Sequence, residues 1–521
     1  MSSPPAPPKS SDVAKSAGRG GLFVLGAKAY FIVVGLAQQA LLKQAIGLDG
    51  YGAISRVFAM TNVVNNVMVS GSIQGVSRTV AGAKGREDEA FRATLRVHVP
   101  LAVGAGLLFA AAAPFLVAFQ KAPHILPPLL MMAAVVTLYG TYAPLVGALN
   151  GRGRFDRQAM LDVTFATLRT VGLVAVGRLF VMRGLSGTLG AVLGFVLAVV
   201  AIVPLALRWS GTGKASAEHR VDVPTTKGYA SVLAPLFFAQ LFTNLLMQID
   251  LTLLGRFLSE GAAISGLRGE DAAKASDEWV AVYRACQLFA FLPYQLLVSV
   301  TAVLFPMLAS AKADGDAGRV REYVQRGSRL ATVLGGLFVA VIVFLPGSLV
   351  GLAYGRDVGI RGESTLRILA VGQGAFALFS IASTVLASVG RERLGAMASF
   401  AAVLLVGAGC FAVVPAHTFG VVQLERTAMA TTTALVVALA VASFLVRRET
   451  GAFVPAKTLA RVGLSVAALG LAGTRIPVLG KVTTIVAAGG GALAYLILLV
   501  VTGEVGREEV GAVRALVRKK R

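Results

Sequence analysis

Charged side chains are scarce in this 521-residue chain, at 14% against ~25% in ordinary soluble domains. Cysteine is nearly absent: Cys286 and Cys410 both sit in apolar segments and cannot build a disulfide framework. Four histidines, His98, His124, His219 and His417, are scattered without metal-ligand spacing. These shortages exclude a soluble globular protein and a redox or metal-centred enzyme, and no cofactor is expected. The chain is instead rich in the apolar set AVILMFWYC, at 56%, and holds 59 glycines, which excludes disorder. Its 49 Lys+Arg exceed 26 Asp+Glu, for a net charge of +23. On so apolar a chain that excess suits the anionic face of a bilayer and not a nucleic acid. The reading is an all-α, polytopic membrane protein.

A span needs ~20 predominantly apolar residues, and about fourteen stretches qualify. Their limits are 20–47, 51–81, 94–118, 126–149, 158–182, 186–207, 229–258, 279–308, 329–352, 366–388, 395–415, 427–446, 459–474 and 482–502. The breaks carry Gly, Pro and charge, as in GRGRFDR (151–157) and GRERLG (390–395). The longest outer connection, about 259–278, reads as a solvated linker and is too short for a soluble domain. Lys and Arg concentrate in the segments that an inner N-terminus places in the cytoplasm. Both termini are therefore expected to be cytoplasmic. A cysteine placed near Ser265 is expected to react with an impermeant label added outside intact cells, and one near Lys214 is not. Labelling at Lys214 would reverse the orientation.

Residues 51–84 and 279–312 align without a gap at an offset of 228. Tyr51 meets Trp279, Ala53 meets Ala281, Arg56 meets Arg284, and AGAK (81–84) meets ASAK (309–312). The expected organisation follows from this repeat. A disordered tail (1–19) precedes an N-lobe of spans 1–6 (20–208), a cytoplasmic linker (209–228) and a C-lobe of spans 7–12 (229–447). Spans 13–14 (448–503) and a basic tail (504–521) complete the chain. The two lobes are thus pseudo-symmetric, with six helices each.

Charges at membrane depth are expensive and usually face a cavity. Six bases fall within spans: Lys28, Lys43, Arg56, Arg78, Arg169 and Arg284. Lys43 and Arg78 lie near span ends and can snorkel. Arg169 shares a face of span 5 with Asp162, which suits an ion pair. Lys28, Arg56 and Arg284 lack such an explanation, and Asp250 is the other acid within a span. At 100° per residue, Asn62, Asn66, Ser70, Gln74, Ser77, Arg56 and Arg78 form one stripe on span 2. Gln240, Asn244, Gln248, Thr252 and Arg256 repeat the pattern at i+4 on span 7. Span 8 places Arg284 and Gln295 on one face, with Gln287 and Tyr294 beside them. Interhelical hydrogen bonding accounts for single amides, but the concentration in spans 1, 2, 7 and 8 favours a hydrated cavity. Its basic side chains select a phosphate or carboxylate, and arginine suits a bidentate phosphate contact. The amides suit sugar hydroxyls.

The opening RGGLFVLGAKAYFIVVGLAQQALLKQAIGLDGYG (19–52) resembles the polysaccharide flippases of the multidrug/oligosaccharidyl-lipid/polysaccharide exporter superfamily. So do LLGRF after Asp250 and the LVGALNGRGRF connection (145–155). The resemblance covers about residues 19–505. It implies transport of polyprenyl-diphosphate-linked oligosaccharide, a polysaccharide or lipopolysaccharide precursor, from the cytoplasmic to the outer leaflet by alternating access. Lys28, Arg56 and Arg284 would take the diphosphate, with Asn62, Asn66, Gln240, Asn244 and Gln295 around the sugar. Gln38 and Gln39 stand where some relatives place an acid, so Asp250 is the candidate for coupling to H⁺ or Na⁺, alongside coupling to the membrane potential. Spans 13 and 14 would hold the lipid tail.

The implied setting is a bacterial-type inner membrane. The implied partners are the anionic lipid-linked sugar, the bilayer, and a polysaccharide polymerase with glycosyltransferases. Two alternatives stand beside this reading. An ion-coupled multidrug exporter of the same superfamily usually has twelve spans and acidic cavity residues. A membrane glycosyltransferase or ligase needs a catalytic site at an outer surface, where Glu260, Glu270, Asp271, Asp277 and Glu278 are the available acids.

Overall fold

The structure is a computed structural model, and it describes residues 10–83, 85–211, 226–415 and 417–506. Among the described residues the chain is helical, with fifteen α-helices and one 3₁₀ turn. Ten of the described helical segments are long and apolar enough to cross a membrane, against the fourteen spans expected. Backbone groups in lipid must be satisfied within the segment, and helices achieve this. The apolar stretches read from the sequence fall mostly within these helices. The chain divides into two compact units, Met1–Asn244 and Leu245–Arg521.

The first unit opens with α1, Ser10–Gly82, which reaches back into the stretch 1–19 read as a tail. Its course breaks at Gly47, where φ is 84° and ψ 172°. A Cβ there would lie 2.7 Å from Asp49 Oδ1, and only glycine adopts that conformation at little cost. The break separates the first two expected spans. Then follow α2 (Glu87–Gln120), the turn Pro123–Ile125, α3 (Leu126–Gly151), α4 (Phe155–Met182) and α5 (Gly187–Ser210). Helix α6, Thr226–Ile264, contributes its residues up to Asn244 to this unit. Apolar faces give little drive for association inside lipid, so small residues that permit close packing decide the contacts. Gly172 on α4 and Gly194 on α5 show this: a Cβ on either would come within 2.3 Å of the other's carbonyl oxygen. Tyr139, Tyr142, Phe165 and Phe195 form an aromatic cluster between α3, α4 and α5.

The second unit contains α7 (Gly269–Ala290), α8 (Leu292–Ala313), α9 (Ala317–Phe344), α10 (Pro346–Tyr354), α11 (Arg356–Ser388), α12 (Glu392–Val413) and α13 (Val421–Thr450), with α14 (Ala456–Gly473) and α15 (Lys481–Val501). Three sequence expectations change here. The stretch 329–352, expected as one span, is α9 and α10 on either side of Leu345, where Pro346 opens the second helix. The stretch 279–308, expected as one span, is two helices meeting at Phe291. Pro293, in the first turn of α8, has no N–H to continue the ladder. The outer connection expected over 259–278 shrinks to 265–268, because α6 and α7 extend into it. Its acids are therefore helical, and three of them are paired. Glu260 binds Arg256 at 3.1 Å, Glu270 binds Lys274 at 2.8 Å, and Glu278 binds Arg361 at 3.2 Å.

Helices α14 and α15 pack on α9 through Ala340, Val462, Leu469, Tyr495 and Leu499. The Tyr495 hydroxyl donates to the Val333 carbonyl at 3.0 Å, and Gly336 leaves room for it. Beyond the end of α15, Glu504 is 2% exposed. It accepts from Arg329 Nε at 2.8 Å, Thr458 Oγ1 at 2.7 Å and Arg461 Nη1 at 3.1 Å. Burial alone raises a carboxyl, but these hydrogen bonds and the Arg329 charge outweigh it and hold Glu504 below the usual glutamate value. A lowered folded-state pKa adds stability above the unfolded value of ~4.3, and that stability is lost as pH falls through the folded value. Glu504→Gln should therefore lower the melting temperature of the purified protein at pH 7. The gap from wild type should close as pH drops below about 4. An unchanged melting temperature at pH 7 would show that the cluster does not hold these helices.

Candidate functional site

In the first unit, Arg56 lies near the start of the second part of α1 and is 1% exposed. Its Nη1 donates to Gln120 Oε1 at 3.1 Å, where α2 ends. Farther along α1, Asn66 Nδ2 donates to Asn244 Oδ1 at 2.9 Å. Asn244 Nδ2 in turn donates to the Gln240 carbonyl at 2.8 Å. Three of the expected sugar-contacting residues, Asn66, Gln240 and Asn244, are thus brought together. Asn62 lies one turn from Asn66 on α1 and is half-buried. Lys28 is on α1, and its side chain falls outside the described residues. Arg169 Nε donates to Gln38 Oε1 at 3.1 Å, and Thr170 donates to the same oxygen at 3.2 Å. Gln38 therefore acts as an acceptor for a membrane-depth arginine.

The α1–α6 contact is closer than amide pairing requires. A Cβ on Gly71 would fall 2.1 Å from the Phe237 ring, and one on Gly75 would fall 2.5 Å from Leu233 Cδ2. Beside them, buried His98 on α2 bonds Ser72 Oγ through Nδ1 at 3.1 Å and the Tyr229 hydroxyl through Nε2 at 2.7 Å. The sequence reading classed His98 only as a non-ligand. Nothing in the local pattern pairs it with a tyrosine 131 positions away.

In the second unit, Asp250 on α6 is 1% exposed. Its Oδ2 accepts from the Tyr283 hydroxyl at 2.8 Å. Its Oδ1 accepts from Gln287 Nε2 at 3.0 Å and from the Leu251 amide at 2.8 Å. Gln287 is wholly buried, and its Oε1 accepts from Arg284 Nη1 at 2.6 Å. Cation, amide and carboxylate therefore form one chain, Arg284–Gln287–Asp250. The amide places its donor on the anion and its acceptor on the cation, which is the polarity each charge stabilises. Arg284 retains 9% exposure. Gln295 is half-buried on α8, beyond the Phe291 break, so it does not share one continuous helix face with Arg284 as expected. The two arginines matched by the repeat are handled alike: each guanidinium binds a glutamine oxygen. The glutamine comes from another helix for Arg56 and from the same helix for Arg284. Among the described residues no cluster of three or more His, Cys, Asp or Glu could hold a metal ion.

The polysaccharide biosynthesis protein family matches residues 18–312. The chain belongs to that family. MatE matches residues 272–412, so both halves of the sequence fall in the multidrug/oligosaccharidyl-lipid/polysaccharide exporter superfamily of transporters. A comparison with curated proteins finds no match. Among solved structures, the lipid II flippase MurJ in an inward closed conformation has a TM-score of 0.69 at 14% identity. That similarity covers 92% of this chain and 97% of MurJ. A multidrug resistance MATE family transporter in an inward-facing conformation gives 0.58 at 15% identity, over 84% of this chain and 95% of that one. A superfamily transporter from Pyrococcus furiosus gives 0.52 at 15% identity, over 85% and 96%. These similarities establish the family's transporter fold on this chain.

Proposed function

We propose that this protein carries a polyprenyl-diphosphate-linked oligosaccharide from the cytoplasmic to the outer leaflet of a bacterial-type inner membrane by alternating access. The observation that carries the reading is Arg284, an arginine with 9% of its surface exposed and oriented through Gln287. The family's matching residues support it, since they begin at 18 and run through both Arg56 and Arg284. Arg284, Arg56 and Lys28 bind the diphosphate, and Asn62, Asn66, Gln240, Asn244 and Gln295 bind sugar hydroxyls. Arg56 is buried against Gln120, so the substrate meets it only in a conformation where that bond is exchanged. Asp250 takes up H⁺ or Na⁺ as part of the cycle. The polyprenyl tail stays in lipid.

The membrane potential is sufficient to bias such a cycle. A diphosphate with about two negative charges moves outward down an inside-negative potential. The gain is roughly 4.6 kcal/mol per 100 mV if both charges cross the whole field, at ~2.3 kcal/mol each. A multidrug exporter is the second reading, favoured by the MatE match over 272–412; it would need the acid, not the arginines, to face the cargo. Deleting the gene and probing extracted sugar-lipids for prior exposure to an impermeant outer probe separates the two. Accumulation of an inner-leaflet sugar-lipid is expected. Unchanged sugar-lipid exposure, with altered sensitivity to cationic drugs, would favour the second reading.

A further inference from the structure

In the second unit, α12 and α13 run antiparallel and leave a trench of about 450 Å³ between them. Its floor is made of small residues. A Cβ on Gly409 would lie 3.4 Å from Ala430 Cβ, so the helices touch there. Its walls are apolar, formed by Leu405 and Val437, both exposed. The polar exceptions are Arg426 and Thr433, which line the α13 side. Arg426 is exposed and has no ion-pair or hydrogen-bond partner among the described residues. Its neighbour Glu425 does not line the trench.

Both helices are apolar enough to cross a membrane, so the trench opens toward lipid. From Arg426 to Val437 the rise of 1.5 Å per residue gives a length of about 16 Å. That is half of a ~30 Å hydrocarbon core, the depth of one leaflet. The trench therefore has an uncompensated guanidinium at one end and an apolar channel one leaflet deep along the rest. We propose that it binds one anionic glycerophospholipid, with the phosphate on Arg426 and an acyl chain along the α12–α13 floor. Guanidinium and phosphate form charge-assisted hydrogen bonds, and net negative charge is selected because no protein carboxylate neutralises Arg426. Thr433 lies seven residues farther along α13, about 10 Å deeper by helical rise, beside the acyl chain. The site is independent of the transport reading and uses none of its residues.

The test is native mass spectrometry of the purified full chain titrated with phosphatidylglycerol or phosphatidylcholine. Wild type should retain one more tightly held phosphatidylglycerol than Arg426→Ala, whose apparent affinity for that lipid should fall about five- to tenfold. Arg426→Lys should lie between them. A tryptophan at the lining residue Ala412 should occupy the trench and displace the lipid while leaving the elution profile and melting temperature of the protein unchanged. Equal phosphatidylglycerol retention in wild type, Arg426→Ala and Ala412→Trp would overturn the proposal. So would phosphatidylcholine held as tightly as phosphatidylglycerol by wild type.

Discussion

Replacing Arg284 with alanine should lower sugar-lipid translocation per inserted protein about ten- to hundredfold. The magnitude follows from one lost charge-assisted contact, worth ~1.5–3 kcal/mol, at 1.4 kcal/mol per factor of ten. Asp250 in the same network keeps its donors from Tyr283, Gln287 and the Leu251 amide. The buried Gln287 Oε1, however, loses its Arg284 donor, at a cost of ~1–3 kcal/mol, so some loss of abundance should accompany the lost transport. Arg284→Lys should recover only part of the activity. It restores the charge but not the planar fork that matches a phosphate. Arg56→Ala should behave alike, since Arg56 is also buried and holds the buried oxygen of Gln120. Leaving that acceptor without a donor costs ~1–3 kcal/mol, so lower protein abundance should accompany lost transport. Quantitative immunoblotting beside the transport assay separates lost abundance from lost transport. Full activity in an Arg56→Ala/Arg284→Ala double variant would end the anionic-substrate account.

Asp250→Asn should reduce turnover by at least about tenfold, the order of one lost charged hydrogen bond, while substrate binding changes little. The geometry makes this a clean removal of charge. The asparagine Oδ1 can keep the donors Gln287 Nε2 and the Leu251 amide, and its new Nδ2 can donate to the Tyr283 hydroxyl, which reverses its role. Packing is thus preserved, while a proton or Na⁺ loses its anionic partner. Turnover in the variant should also stop responding to pH or Na⁺ gradients. Normal, gradient-dependent transport in Asp250→Asn would leave this carboxylate a packing role alone.

The helices were legible in the sequence because hydropathy and length are local properties, and most apolar stretches became a single helix. The break at Gly47 was legible too, since glycine marks it. The break at Phe291 was not. Pro293 sits within an uninterrupted apolar run, and a hydropathy count passes over a missing N–H. The acids of 259–278 misled for the opposite reason. Polar residues at a helix end resemble a loop, but their i,i+4 partners, such as Arg256 for Glu260 and Lys274 for Glu270, make them stable in helices.

The site was legible as a set of polar residues and not as a network. Asp250, Arg284 and Gln287 all stood out as polar atoms at membrane depth, and helical periodicity put Gln287 beside Arg284. What joined them was a tertiary contact, Gln287 reaching across to an aspartate 37 positions earlier, which no period encodes. Tyr283 and Gln120 were missed for the same reason. A tyrosine adjoining an arginine and a glutamine at a helix end are ordinary locally, and only the fold places their partners.

The most direct test of the central claim uses purified protein in vesicles carrying a fluorescent polyprenyl-diphosphate-linked sugar in the leaflet that corresponds to the cytoplasmic side. The measured quantity is the rate at which the label becomes accessible to a membrane-impermeant quencher on the far side. Wild type should accelerate it over protein-free vesicles. An imposed potential, negative on the starting side, should raise the rate further, and Arg284→Ala should bring it close to the protein-free value. A wild-type rate equal to that of empty vesicles at every potential, from protein shown to be folded, would contradict the account.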